Sequence, residues 1–88
     1  MKKVEIYTKS YCPYCHRAKE LLRIKGVPFT EYDVTSDPQA EQEMQQRSGR
    51  DTVPQIFVNG DLVGGCSDLF ELDEEGRLDH LLDLNPRG

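Results

Sequence analysis

Two cysteines two residues apart, Cys12-Pro13-Tyr14-Cys15, lie between a strand-forming run and a helix-forming run. That placement constrains the chain more than any other feature. Val4-Glu5-Ile6-Tyr7-Thr8 alternates and is rich in β-formers, which predicts a strand, and Lys9-Ser10-Tyr11 turns out of it. Pro13 suits a first helical turn, where its missing N–H costs nothing. Ala18, Leu21, Leu22 and Lys25 then recur at helical spacing, with Ile24 beside them, until Gly26-Val27-Pro28 ends the helix. Two thiols at this spacing close a small disulfide ring. At a helix start, the unpaired N–H groups and the positive end of the dipole stabilise a thiolate at the first of them.

The remaining chain extends the pattern. Phe29–Val34 alternates as a second strand, Ser36-Asp37-Pro38 signals a helix start, and Gln39 to Arg47 is a polar helix with Ala40 and Met44 facing inward and Gly49 as its stop. Gln55–Val58 and Asp61–Val63 flank Asn59-Gly60, a strong two-residue hairpin signal. Gly64-Gly65 breaks the chain before a helix through Leu69, Phe70 and Leu72 that Gly76 interrupts. Leu78, Leu81, Leu82 and Leu84 mark a last short helix, and Asn85-Pro86-Arg87-Gly88 is expected to fray. The order β-α-β-α-β-β-α predicts an α/β fold. Its first two strands are parallel across a right-handed crossover, and the hairpin adds an antiparallel edge. The result is a four-stranded mixed sheet with helices on both faces, in one domain over residues 1–88.

Composition narrows the function. The net charge of -5 is uneven: Lys2, Lys3, Lys9, Arg17, Lys19, Arg23 and Lys25 crowd the first 25 residues, whereas acids dominate from Cys66 onward. No basic stripe is interleaved with aromatics, so no nucleic-acid partner is expected; an anionic small molecule near the thiols fits the basic segment better. No apolar run approaches the roughly 18 residues of a membrane span, and the N-terminus lacks a secretory h-region, so no membrane association and a cytoplasmic location are expected. An odd count of three cysteines without a signal peptide argues against a disulfide scaffold. Zinc needs two more ligands than the pair supplies. Cys66, His16 and His80 form no partner set, so no metal is expected.

Cys12, at the exposed helix start and three residues after Lys9, is assigned as the attacking thiolate; Cys15, one turn in and nearer the core, resolves the mixed disulfide. Tyr14 is either a surface aromatic or a wall for a thiol substrate. Tyr11 is a second such wall or, the favoured reading, turn packing, and His16 is read as a surface residue, with tuning of the thiols as the alternative. Thr52-Val53-Pro54, just before a strand, is an ordinary trans proline or a cis bond that presents the Val53 backbone to an extended ligand, and the neighbouring dithiol favours the second. Gly64-Gly65-Cys66-Ser67-Asp68 opens a helix whose N-terminus suits a carboxylate, while Asp68 suits an ammonium; Ser67 or Asp68 as a plain helix cap is the alternative. Cys66 is a bystander or a slow regulatory thiol.

With these three motifs in this order and spacing, nearly the whole chain resembles the dithiol glutaredoxins of the thioredoxin-like superfamily, in a bacterial form with an extra cysteine at Cys66. The resemblance implies glutathione as co-substrate with no tightly bound cofactor. The glutathione thiol would meet Cys12 and its cysteinyl backbone Val53. Its γ-glutamyl carboxylate would sit at Gly65-Cys66-Ser67 with Asp68 on the ammonium. Its glycyl carboxylate would meet Lys9 and Arg50, with Tyr14, Thr52 and Pro54 completing the groove. Partners implied are glutathione and disulfide-containing or glutathionylated proteins, with ribonucleotide reductase a family-level candidate, acting on a monomer. The rival implied by the same family is a glutathione-ligated iron–sulfur cluster carrier, against which Pro13 argues, since cluster-holding members usually carry a smaller residue there.

Overall fold

The computed structural model describes residues 2–84. Its elements are β1 (Val4–Thr8), α1 (Pro13–Ile24), β2 (Thr30–Asp33), α2 (Pro38–Ser48), β3 (Gln55–Val58), β4 (Asp61–Gly64), α3 (Cys66–Glu74) and α4 (Leu78–Leu81). The sheet runs β2-β1-β3-β4. β1 pairs parallel with β2 from Glu5↔Thr30 to Thr8↔Asp33, and antiparallel with β3 from Val4↔Val58 to Tyr7↔Gln55. β4 returns antiparallel beside β3. This is the expected mixed α/β sheet, with the last helical stretch forming α4 as an element of its own. Strand β2 is shorter than the alternation over Phe29–Val34 suggests, although the Val34 N–H still donates to the Thr8 carbonyl at 2.8 Å. The fraying expected of Asn85–Gly88 lies outside the described residues. Among the described residues no helix is long and apolar enough to cross a membrane.

Strand β1 is central and buried along its whole length, and its alternation divides the core in two. Val4 and Ile6 face α1, α3 and α4, meeting Ala18, Leu22, Ile56, Leu69, Leu78 and Leu82. Tyr7 faces the other way, toward α2, and packs with Val34, Met44 and Phe57. Local chemistry sets the helix ends. Asp37 caps α2 by accepting the Ala40 N–H at 3.1 Å, with Pro38 next in line. Gly49 closes that helix in the left-handed region at φ 72°, which glycine enters without a Cβ penalty. Lys25, at the end of α1, pairs with Asp73 at 2.8 Å and Asp79 at 2.9 Å, tying that helix to the α3–α4 segment.

The pairing directions place the site. Thr8 ends β1, Asp33 ends β2, Gln55 begins β3 and Gly64 ends β4, and the registers bring these four to one end of the sheet. The loops that follow or precede them therefore meet there.

Candidate functional site

Cys12 is the N-cap residue of α1, with extended backbone (φ -93°, ψ 113°) and no side chain capping the first turn. Pro13 follows at the helix start. The arrangement leaves first-turn N–H groups unpaired beside the half-buried Cys12 sulfur. The turn before it is braced. The Cys12 N–H donates to the Lys9 carbonyl at 3.2 Å, and the Ser10 N–H donates to Thr35 Oγ1 at 2.9 Å. His16 Nε2 lies 3.1 Å from the Ser10 carbonyl oxygen. His16 is exposed as expected, but it reaches back to hold the turn.

Cys15 lies one helical turn on and is fully buried. Burial pushes its thiol up to about 12; the Lys9 backbone N–H opposes the rise and the neighbouring Cys12 sulfur adds to it. Near neutral pH Cys15 therefore keeps its proton. Burial also raises the Cys66 thiol, with Arg17 opposing.

Opposite Cys12 lies the Thr52-Val53-Pro54 loop. The Val53–Pro54 peptide bond is cis, and the Cys12 thiol reaches the Val53 carbonyl at 3.8 Å. Beyond it opens a groove of about 240 Å³. It is lined by Thr52, Val53 and Pro54 together with Gly65, Cys66, Ser67 and Asp68, and by Tyr14 and Arg50. Lys9 is not among the lining residues; its ammonium is held 3.8 Å from Glu41 on α2. Tyr11 also departs from the sequence reading. It is 70% exposed because it stands at the corner of the Lys9–Cys12 turn, which no helix or strand covers.

Of the two glycines, only Gly64 is required by the local geometry. Gly64 has φ 122°, and a Cβ there would run into the Asp68 carboxylate. A Cβ on Gly65 would make only ordinary contact with the Pro54 carbonyl, at 3.4 Å, so the start of α3 lies against that loop without a steric demand for glycine. Asp68 Oδ2 accepts the Gly65 N–H at 2.9 Å, a helix-capping bond, and lies 3.5 Å from Arg50 Nη1. Capping and ligand recognition are thus not alternatives for Asp68: one oxygen caps while half of the side chain stays exposed to the groove.

Gln55 is the groove residue that sequence reasoning missed. It is 1% exposed, and its Nε2 donates to the Thr52 carbonyl at 3.0 Å and to Thr52 Oγ1 at 3.2 Å, pinning the loop that carries Val53. The signal was available as a lone polar residue in the otherwise apolar Gln55-Ile56-Phe57-Val58. Among the described residues no group of three or more His, Cys, Asp or Glu side chains is placed to hold a metal ion.

Residues 4–63 match the glutaredoxin family model. Glutaredoxin 3 of Escherichia coli strain K12 is 56% identical over 82 residues, 93% of this chain and 99% of that protein. The solution structure of glutaredoxin from Brucella melitensis superposes with a TM-score of 0.82 at 55% identity, covering 93% of this chain and 89% of the other. The crystal structure of a buckwheat glutaredoxin–glutathione complex superposes with a TM-score of 0.85 at 27% identity, covering 93% and 77%. A dithiol at a helix start, facing a cis-proline loop across a small groove, thus occurs here in a chain that belongs to the glutaredoxin family of glutathione-dependent oxidoreductases.

Proposed function

We propose that this chain, acting as a monomer, reduces protein disulfides and glutathione mixed disulfides through the Cys12/Cys15 pair, with glutathione held in the adjoining groove. The observation that carries the reading is the meeting of an accessible thiol at a helix start, a buried protonated thiol one turn on, and the Val53 carbonyl 3.8 Å from the first. The Cys12 thiolate attacks a disulfide sulfur, a new Cys12–substrate disulfide forms, and the other half departs as a thiolate. In the monothiol route that partner is glutathione, and a second glutathione releases it. In the dithiol route Cys15 displaces the substrate, leaving a Cys12–Cys15 disulfide that two glutathiones reduce. The Val53 backbone suits the cysteinyl segment of glutathione, the start of α3 at Gly65-Cys66-Ser67 its γ-glutamyl carboxylate, and Asp68 its ammonium. The glycyl carboxylate falls to Arg50, with Lys9 joining by leaving Glu41. Tyr14 covers the bound thiol.

Glutathione-coupled turnover of the mixed disulfide of glutathione and 2-mercaptoethanol tests the reading. Asp68→Asn keeps an oxygen for the α3 cap but loses the charge, so its KM for glutathione is expected to rise about fivefold, with kcat nearly unchanged. An unchanged KM would remove Asp68 from the binding site, and an inactive parent would overturn the function.

The dithiol route makes a separate prediction in pH. Burial is the main cause of the raised Cys15 value and persists when Cys12 is tied in a mixed disulfide. Below the pKa the thiolate fraction rises tenfold per pH unit, so release of glutathione from the preformed Cys12 adduct is expected to accelerate about tenfold per unit between pH 6 and 9. Stopped-flow detection of released glutathione reads this directly; a flat profile would mean that Cys15 is not the attacking group.

A further inference from the structure

We infer that Lys19 is a positioning residue for the resolving half-reaction: clamped by Glu31, its ammonium stabilises the negative charge that the Cys15 sulfur carries as it displaces glutathione from Cys12. The inference rests on the dithiol route proposed above. Burial keeps the Cys15 thiol protonated near neutral pH, yet that route needs its thiolate, so whatever favours the charged sulfur speeds the step.

The fold places the ammonium beside that sulfur. Lys19 follows Cys15 by four residues on α1, and side chains at that spacing share one face, the later one leaning back over the earlier. Lys19 Nζ donates to Glu31 Oε2 on β2 at 2.9 Å, and Thr8 Oγ1, at the end of β1, donates to the same oxygen at 2.7 Å. The next residue in the chain, Lys9, turns its backbone N–H to the Cys15 sulfur. The ion pair and the sulfur therefore adjoin consecutive residues, Thr8 and Lys9, at one strand end.

The Lys19 side chain is only 12% exposed, a place that an ammonium rarely takes unless it is paired. Glu31 thus keeps the charge inside the fold instead of in water. Of the charged side chains acting on the Cys15 sulfur, Lys19 favours its ionisation and Cys12 opposes it. The Lys9 ammonium is drawn to Glu41 at 3.8 Å, His16 is turned to the Ser10 carbonyl, and Arg17 acts on Cys66 at the start of α3. Asp33 on β2 faces the ion pair.

In the step itself the Cys15 proton passes to solvent, the Cys15 sulfur bonds to the Cys12 sulfur, the Cys12–glutathione bond breaks and glutathione leaves as a thiolate. In reverse, glutathione thiolate attacks the Cys12 sulfur and Cys15 leaves as the thiolate. Both directions pass through negative charge on Cys15, while its thiol and disulfide forms are neutral. Lys19 therefore speeds both directions alike and leaves their equilibrium unmoved.

Stopped-flow mixing reads the two rates: release of glutathione from the preformed Cys12 adduct, and attack of glutathione on the Cys12–Cys15 disulfide. At pH 7, Lys19→Met is expected to slow each about tenfold with their ratio held within about twofold, Lys19→Gln to match it, and Lys19→Arg to recover most of the rate. Unchanged rates in both neutral variants overturn the inference. A slowing in one direction alone overturns it too, because a shifted ratio marks altered stability of one redox form. Lys19→Arg as slow as Lys19→Met overturns it by removing charge as the cause. A parent whose adduct releases glutathione no faster as pH rises overturns the Cys15 reading itself, an outcome distinct from failure of Lys19 alone.

Discussion

Cys12→Ser is expected to abolish glutathione-coupled disulfide reduction, by about three orders of magnitude or more, as when an essential nucleophile is removed. A hydroxyl in that position neither ionises usefully at neutral pH nor forms a stable bond to sulfur. Cys15→Ser is expected to behave differently. It removes a buried, protonated thiol that the monothiol route does not use, so turnover of glutathione mixed disulfides should largely persist while reduction of a protein disulfide by the dithiol route fails. Steady-state assays on one substrate of each kind, with both variants, separate the roles. If Cys15→Ser were as inactive as Cys12→Ser on the small mixed disulfide, the division of labour between the thiols would be wrong.

The second large effect concerns stability and lies on the opposite face of the sheet. Glu5 is 7% exposed, an unusual place for a carboxylate. Arg47 reaches it from α2 at 3.0 Å, the Tyr32 hydroxyl donates to it at 2.9 Å, and the guanidinium lies 4.1 Å from the Phe57 ring centroid. The Arg47 hydrogen bond holds the Glu5 carboxyl below its ordinary value of 4.5, outweighing burial, with Tyr32 assisting. Arg47→Met keeps apolar volume near Phe57 but leaves the carboxylate without its cation, held by the Tyr32 hydroxyl alone, so a loss of about 3 kcal/mol at pH 7 is expected. For a chain this size that lowers Tm by roughly 15 °C.

The sign in pH follows from the direction of the shift. A carboxyl whose value is lowered on folding stabilises the native state above its unfolded value and loses that contribution as pH falls through the folded one. The parent therefore loses this stabilisation below about pH 4.5, and the gap between parent and Arg47→Met narrows there as Glu5 becomes neutral. Adding Glu5→Gln should recover much of the loss at pH 7. Denaturant unfolding at pH 7 and pH 4 checks both statements; a gap independent of pH would mean that Arg47 acts by packing alone.

That network also marks where the sequence stopped being informative. Alternation located β1, but it suggests a half-buried strand, in which Glu5 would face water. The residue is covered because β1 is central and α2 closes the second face, and both are facts of topology. The Asn59-Gly60 hairpin, the Asp37-Pro38 helix start and the Gly49 stop were legible because each is a local backbone requirement met by specific residues. The grouping of Tyr14, Val53 and Ser67 was legible only through motif order, since no local signal brings three separate loops together. Tyr11 was misplaced because an aromatic beside a turn has no pattern that separates packing from exposure. Lys9 was assigned to the groove by the family resemblance, which carries no information about Glu41 on the helix next to it.

The strand registers that gather the site at one end of the sheet also leave the other end for different uses. The Asn59-Gly60 turn lies there, joined to the first strand by the Lys3 N–H to Asn59 Oδ1 bond at 2.9 Å and the Asn59 N–H to Lys3 carbonyl bond at 2.8 Å. It is separated from the Cys12 end by about four residues of strand, roughly 13 Å. A label, affinity tag or fused module inserted after Gly60 would project away from the thiols and leave the approach to them open. The same polarity suits tethering: a molecule immobilised through that turn presents its reactive end outward, so an electrode or bead could be coated in one orientation without masking the chemistry.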